Sequence, residues 1–370
     1  MLTPWYPDES NPNSGIFIQT QAKALSDCHS VVVVSAKVDY KRFGLISFYL
    51  NKSRNGLVDE HRLVIRKSLP VYNQLNHLVI TCFITWKIAR KWKPEIIHAS
   101  IGYPGALWGW VMSKLLGVPF VVTEHTRITN NFRSAFHKLC TLLPLKRAWQ
   151  VMAVSSTLAK ETKYWINKDV TVVPNIIDVN RFFHRELSQS KVIQFGFLGG
   201  MNTPVKGLDI ALKALAKMNH DFIFHIGGTG TLEEHYKKLS NELGVSERCR
   251  FYGFVPYNEV PHFMSRLQFF ICSSRYETFC VSLIEAIASG RPVISTRCGG
   301  PEDFVNGSNG ILCDNENPES LQQAIEWMML NYSSFNPITM RTYIEDNFTA
   351  KSFLKTINEV YSTAIARSIN

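Results

Sequence analysis

The chain has 370 residues, 45% of them hydrophobic, with 40 Lys and Arg against 30 Asp and Glu, 21 Gly, 16 Pro and no low-complexity tract. These figures exclude collagen-like, disordered and coiled-coil chains and leave a folded protein of about two domains, each long enough to bury a core. The net charge of +10 is uneven, because residues 1 to 185 carry 24 Lys and Arg against 11 Asp and Glu while residues 186 to 370 carry 16 against 19.

The start, Met1 to Ser14, is polar and Pro-rich, without the charged and apolar regions of a signal peptide, so a cytoplasmic chain is expected. Short β-branched runs then alternate with longer helical patterns. His29 to Ser35, Glu95 to Ala99, Pro119 to Thr123, Val151 to Ser155 and Val170 to Val173 predict buried strands, with helices over 16–26, 73–92, 104–116, 133–143 and 156–166. Pro174 to Lys191 has little periodicity and reads as an interdomain linker. Strands near 192–198, 222–226, 249–253, 269–272 and 293–296, with helices between, repeat the theme. Such alternation makes parallel sheets covered on both faces, and hence an α/β protein of two doubly wound, Rossmann-like domains. The longest apolar run, Leu78 to Trp86, is well short of the ~20 residues a spanning helix needs.

Between Lys37 and Lys93 lie twelve basic residues and three acids, mixed with the aromatics of Tyr40 to Arg54. That mixture suits an anionic membrane surface, with a merely solvated basic face as the plain alternative. No nucleic-acid motif is present, so no nucleic-acid partner is expected. The eight Cys are never closer than eight residues, which spells neither a zinc knuckle nor a redox pair; they read as reduced, mostly buried thiols.

Parallel sheets place ligands beyond the carboxyl ends of their strands. Glycine pairs follow strands there: Gly199-Gly200, Gly227-Gly228-Thr229-Gly230 and Gly299-Gly300. Each precedes a helix and leaves backbone N–H groups for an anion. Simple tight turns explain any one of them as well, and neither a dinucleotide fingerprint nor a P-loop is completed. Lys206 stands where a helix begins, an unfavourable place for a cation unless it answers an anion. In Ser273 to Val293, if Glu277 falls in a loop and Glu285 within the first helical turns, both carboxylates can face one cleft and accept from sugar hydroxyls, Glu285 from a ribose diol and Glu277 from a sugar ring; taken alone, Glu277 reads as a solvated acid. A charge at Glu285, among Leu283, Ile284, Ala286 and Ile287, is costly unless partnered.

Arg275-x-Glu277-x-Phe279, followed by Leu283-Ile-Glu-Ala-x-Ala-x-Gly290-x-Pro-Val293, resembles the glutamate-pair signature of retaining nucleotide-sugar glycosyltransferases of family 4, with the GT-B architecture of two Rossmann-like domains across a cleft. The resemblance runs through nearly the whole chain, including Tyr6-Pro7 to Ile18, Val121 to His125, Val173 to Asp178, Lys206-Gly207, Gly227 to Gly230 and Gly299 to Glu302. It implies an acceptor-binding domain over 1–178, onto which a helix within 350–370 packs back, and a donor-binding domain over 179–349. It further implies that Lys206 neutralises the donor diphosphate, Glu285 binds the ribose, and Glu277 and His125 contact the transferred sugar. Gly15, Gly199, Gly228, Gly230, Phe279 and Gly300 belong to the donor loops in the same comparison.

The implied donor is a UDP- or GDP-sugar. The implied acceptor is a lipid-linked sugar or glycan in polysaccharide or lipopolysaccharide assembly, met at the inner face of the cell membrane. No protein nucleophile is assigned. The Asp-x-Asp triplet of metal-dependent glycosyltransferases is absent, so neither metal nor cofactor is expected. The family usually carries an Arg where this chain has Gly200 and Met201, which removes one of two phosphate cations. The start leaves almost no first strand before Trp5, as if the chain began internally to its first domain. A nucleotide-sugar epimerase and a non-catalytic sugar-nucleotide-binding subunit stay open as alternatives.

Overall fold

In a computed structural model, residues 1–9, 11–43, 47–67, 70–183 and 192–368 are described. The chain divides into two compact units, Met1–Ile176 with Ala350–Asn370, and Ile177–Thr349. The stretch read as a linker is split by that boundary, and its residues 184–191 lie outside the described residues.

The first unit is built on an eight-stranded sheet. Its strands are β1 (Leu2–Thr3), β2 (Val32–Phe43), β3 (Phe48–Asn55), β4 (Val58–Lys67), β5 (Ile97–Ser100), β6 (Phe120–Glu124), β7 (Val151–Ala153) and β8 (Val170–Val172), in the order β3-β4-β2-β1-β5-β6-β7-β8. All neighbours are parallel except β3 and β4, which form an antiparallel hairpin at one edge. Short as it is, β1 pairs with both β2 and β5, so the order of strands reverses at the sheet's centre. The helices Ile16–Ser26 and Ala350–Ser368 share one core cluster, with Ala22, Leu25, Val121, Ile176, Phe353, Ile357, Tyr361 and Ala364 all buried. His98 in β5 fastens the late helix, its ring sharing hydrogen bonds with the Tyr361 hydroxyl at 2.6 Å and the Thr123 hydroxyl at 2.7 Å.

The second unit has six parallel strands, β9 (Ile193–Leu198), β10 (Phe222–Gly227), β11 (Cys249–Gly253), β12 (Phe269–Cys272), β13 (Val293–Thr296) and β14 (Gly310–Cys313). Their order is β11-β10-β9-β12-β13-β14. Counted within the unit this is 3-2-1-4-5-6, the doubly wound order whose switch point lies between the first and fourth strands, here β9 and β12. Buried phenylalanines line the same strands, the rings of Phe195 and Phe269 stacking at 4.7 Å between centroids. The loops leaving β9 and β12 therefore diverge at the place where a doubly wound sheet binds its ligand.

Three stretches differ from the sequence reading, one of them β4 (Val58–Lys67), which no predicted strand covered. Tyr40 to Arg54, read as an exposed aromatic and basic segment, includes the end of β2 and most of β3, whose side chains are mainly exposed and so show no apolar run; residues 44–46 are outside the described residues. β14 was not anticipated either, being four residues of Gly-Ile-Leu-Cys.

Candidate active site

In the second unit, the chain leaves β9 through Gly199 and Gly200 into a short helical turn, Pro204–Lys206. Gly207 follows with φ 66°, and the helix Leu208–Leu215 begins after it. Lys206 thus stands directly ahead of a helix start. Its ammonium lies 2.7 Å from Oε1 of Glu277, in the turn after β12, an ion pair between residues 71 positions apart. Burial works against the Lys206 charge, but the Glu277 carboxylate outweighs it and holds the ammonium above its ordinary range.

Backbone pairing fixes Glu277. Its N–H donates to Cys298 O at 2.8 Å, its carbonyl accepts from Gly300 N–H at 2.8 Å, and the Ser274 hydroxyl donates to Oε1 at 2.7 Å. Burial raises the carboxyl, with Lys206 pulling the other way. Arg275, two residues earlier, is the clamp between the two loops. It donates to Pro204 O at 2.6 Å and to both carboxylate oxygens of Asp209 at 2.8 Å, a bidentate pair that sets the helix start against the Glu277 turn. Sequence reading placed Arg275 in a motif without finding this task.

Glu285 lies in the second turn of the helix Val281–Ala288 and is only 5% exposed. Burial pushes its carboxyl up to about 8, partly offset by the charge of Arg181. Among the described residues that carboxyl takes no side-chain hydrogen bond, an arrangement that leaves a neutral acid able both to donate to and to accept from hydroxyls. Arg181 was not anticipated. Its guanidinium lies 3.6 Å from the ring centroid of Tyr257 and donates to Tyr257 O at 2.7 Å, while Nη1 is buried without a partner.

The glycine loops are interlocked rather than open. Gly199 N–H donates to Gly227 O at 3.0 Å, Gly228 N–H to Gly253 O at 2.7 Å, and Gly299 N–H to the Glu302 carboxylate at 3.0 Å. With Gly300 N–H held by Glu277, these four amides are spent inside the protein, which corrects the expectation that they await an anion. The absence of a side chain serves close approach instead: a Cβ on Gly228 (φ 127°) would strike the carbonyl of Gly199, and one on Gly230 the backbone at Met201. Met201 itself is buried. Phe279 is 2% exposed and packs on Phe304 and Phe348 with centroids 5.3 and 5.8 Å away. Its ring anchors the turn from within the core. The eight Cys are not all isolated thiols either, because Cys272 and Cys280 bring their sulfurs to 3.7 Å.

In the first unit, Gly15 precedes the helix Ile16–Ser26 with φ 69°, and a Cβ there would meet Trp5 O at 2.6 Å. No residue but glycine lets that helix start lie against the Trp5 loop. His125 follows β6 and is 5% exposed, its ring tilted on Phe17 at 4.6 Å. Burial lowers its imidazole to about 3, with Asn175 opposing, so His125 is neutral and neither ring nitrogen finds a hydrogen-bond partner at bonding geometry. Glu124, unnoticed as a site residue, pins the loop. One of its oxygens accepts from His125 N–H, Thr126 N–H and the Thr126 hydroxyl, each at 3.0 Å, and the other from Gly102 N–H at 2.7 Å. Burial raises the Glu124 carboxyl to about 7 against those donors. The Tyr6 hydroxyl donates to buried Glu60 at 2.8 Å, tying the first loop to β4.

Residues 179–347 match the family described as glycosyl transferases group 1, and residues 14–181 match the one described as glycosyltransferase family 4. The chain is a glycosyltransferase with a group 1 domain over residues 179–347. This glycosyltransferase is 25% identical over 296 residues, 77% of its length and 80% of the other's, to an uncharacterized glycosyltransferase of Methanocaldococcus jannaschii. It is 32% identical over 129 residues to the lipopolysaccharide core biosynthesis glycosyltransferase LpsE of Rhizobium meliloti, which is 35% of this chain and 37% of that one. Among solved structures, sucrose-phosphate synthase from Thermosynechococcus elongatus has a TM-score of 0.78 at 16% identity, covering 95% of this chain and 93% of that one. HepE of Anabaena, crystallised with UDP-glucose, has 0.73 at 18% identity and covers 98% of both chains. These likenesses establish the GT-B fold for the glycosyltransferase, with each of its two units Rossmann-like.

Proposed function

We propose that the chain is a retaining, metal-independent transferase of family 4 that moves a sugar from a UDP- or GDP-sugar to a lipid-linked or polysaccharide acceptor in cell-surface glycan synthesis, working peripherally at the inner face of the membrane. The observation that carries this reading is the Lys206–Glu277 pair beside the switch point of the second unit, with Glu285 buried in the helix that follows. Lys206 then neutralises the diphosphate as the bond from the anomeric carbon to its oxygen breaks and the electron pair departs with the phosphate. The acceptor oxygen bonds to the same face of the oxocarbenium-like carbon, and its proton passes to the leaving phosphate oxygen. Glu277 is already engaged by a cation and a hydroxyl, which supports a role in holding the sugar rather than in attacking it. Glu285 takes the ribose hydroxyls, and neutral His125 acts as a hydrogen-bonding group for the sugar rather than as a charge. HepE, solved with UDP-glucose, and LpsE, named for lipopolysaccharide core synthesis, support the donor class and the acceptor class respectively.

Incubation with a panel of UDP- and GDP-sugars in EDTA tests the reading. Slow hydrolysis of one donor is expected. Interconversion of the sugars would instead make the protein an epimerase, and binding without turnover a non-catalytic subunit, the outcome that the missing cation at Gly200 and Met201 favours.

A further inference from the structure

Two cysteines meet behind Glu277. Cys272 ends β12 and Cys280 precedes the helix Val281–Ala288. The Cys272 and Cys280 sulfurs are 3.7 Å apart, and with a Glu277 carboxylate oxygen they lie within 4.8 Å of one another. Two sulfurs on one tetrahedral zinc-like ion, each at roughly 2.3 Å, stand about 3.8 Å apart, whereas a disulfide requires about 2.05 Å. The observed spacing is that of shared coordination. The three ligand atoms are buried.

We propose that Cys272 and Cys280, with the carboxylate of Glu277, form a binding site for a thiophilic divalent cation of the zinc and cadmium class. On binding, the S–H bonds break, their protons leave to solvent, and metal–sulfur bonds form; no oxidant or reductant takes part. Glu277 now has two claimants, since the carboxylate that caps the ion is the one that pairs with Lys206 at 2.7 Å. Only that last consequence rests on the transferase reading; the binding itself rests on the side chains named.

The reduced, chelator-treated protein titrated with cadmium ion provides the test, read by the ultraviolet sulfur-to-cadmium charge-transfer band. One equivalent is expected to saturate the band. Cys280→Gly is expected to weaken binding at least tenfold. Glycine suits the left-handed φ of 76° at that position, so the variant keeps its fold, as a thermal melt will confirm. Cys28→Ala, an exposed thiol outside the cluster, is expected to leave it unchanged. No band at one equivalent, or a band of unchanged affinity in Cys280→Gly, overturns the proposal.

Discussion

At the scale of single residues, Lys206 and Glu285 make the sharpest predictions. Replacing Lys206 by Ala leaves Glu277 buried without its cation and removes the charge proposed for the diphosphate. A charge-assisted contact of this kind is worth about 1.5 to 3 kcal/mol, so donor hydrolysis should fall about 10- to 150-fold in kcat/KM. Unchanged turnover would remove Lys206 from the site. Glu285 titrates near 8 in the folded chain against an ordinary value of 4.5, so folding takes up a proton between those values. Its stabilising contribution is complete below the lower value and lost as pH rises through the upper one. Glu285→Gln should therefore flatten the fall in thermal stability over that window relative to the parent chain, and melting curves across pH will show whether it does. The Lys206–Glu277 pair was not legible in the sequence, because 71 residues separate its members and nothing local to either announces the other. Glu285 was, because a lone acid inside an apolar helical run has few bland explanations.

At the scale of elements, the C-terminal helix and the Arg275 clamp are the parts to break. Tyr361→Phe removes the hydroxyl that satisfies His98 inside the core. An unsatisfied buried nitrogen costs about 1 to 3 kcal/mol, so urea denaturation should show a loss of that size with the fold retained. Arg275→Ala should loosen the Pro204–Lys206 turn from the Glu277 turn, raising the KM for the donor several-fold while the melting temperature shifts by only a few degrees. Most buried parallel strands of both units, though neither β1 nor β14, were readable as short apolar runs, since parallel strands hidden on both faces are apolar throughout. The hairpin of β3 and β4 was not, for the opposite reason: Lys52 and Arg54 face solvent on an edge strand, and its charge reads like a loop. The glycine loops misled in a different way, because sequence shows where backbone can approach closely but not whether its amides are already paired.

At the scale of the whole molecule, the excess of cations in the first half and the surface of the helix Pro70–Trp92 belong together. Leu75, Val79 and Phe83 repeat every fourth residue and are 56%, 56% and 48% exposed, with Lys87 over the Phe83 ring and Arg90 over Trp86. No helix among the described residues is long and apolar enough to cross a membrane. Such a stripe fits the headgroup region of an anionic bilayer, each cation contributing about 1 kcal/mol. Flotation with acidic vesicles, absent with neutral ones and weakened about tenfold or more by Lys87→Glu with Arg90→Glu, is the expected result. Equal flotation with both vesicles would leave the stripe without this role.

The return of the helix Ala350–Ser368 to the first unit also sets an order of events during synthesis. Phe353, Ile357, Tyr361 and Ala364 fill a core whose other walls emerge from the ribosome some two hundred residues earlier. The nascent amino-terminal half must therefore wait, its apolar surface uncovered, while the entire second unit is translated. A fragment ending at Ile176 should accumulate as aggregate, and a separate peptide carrying the late helix should rescue it.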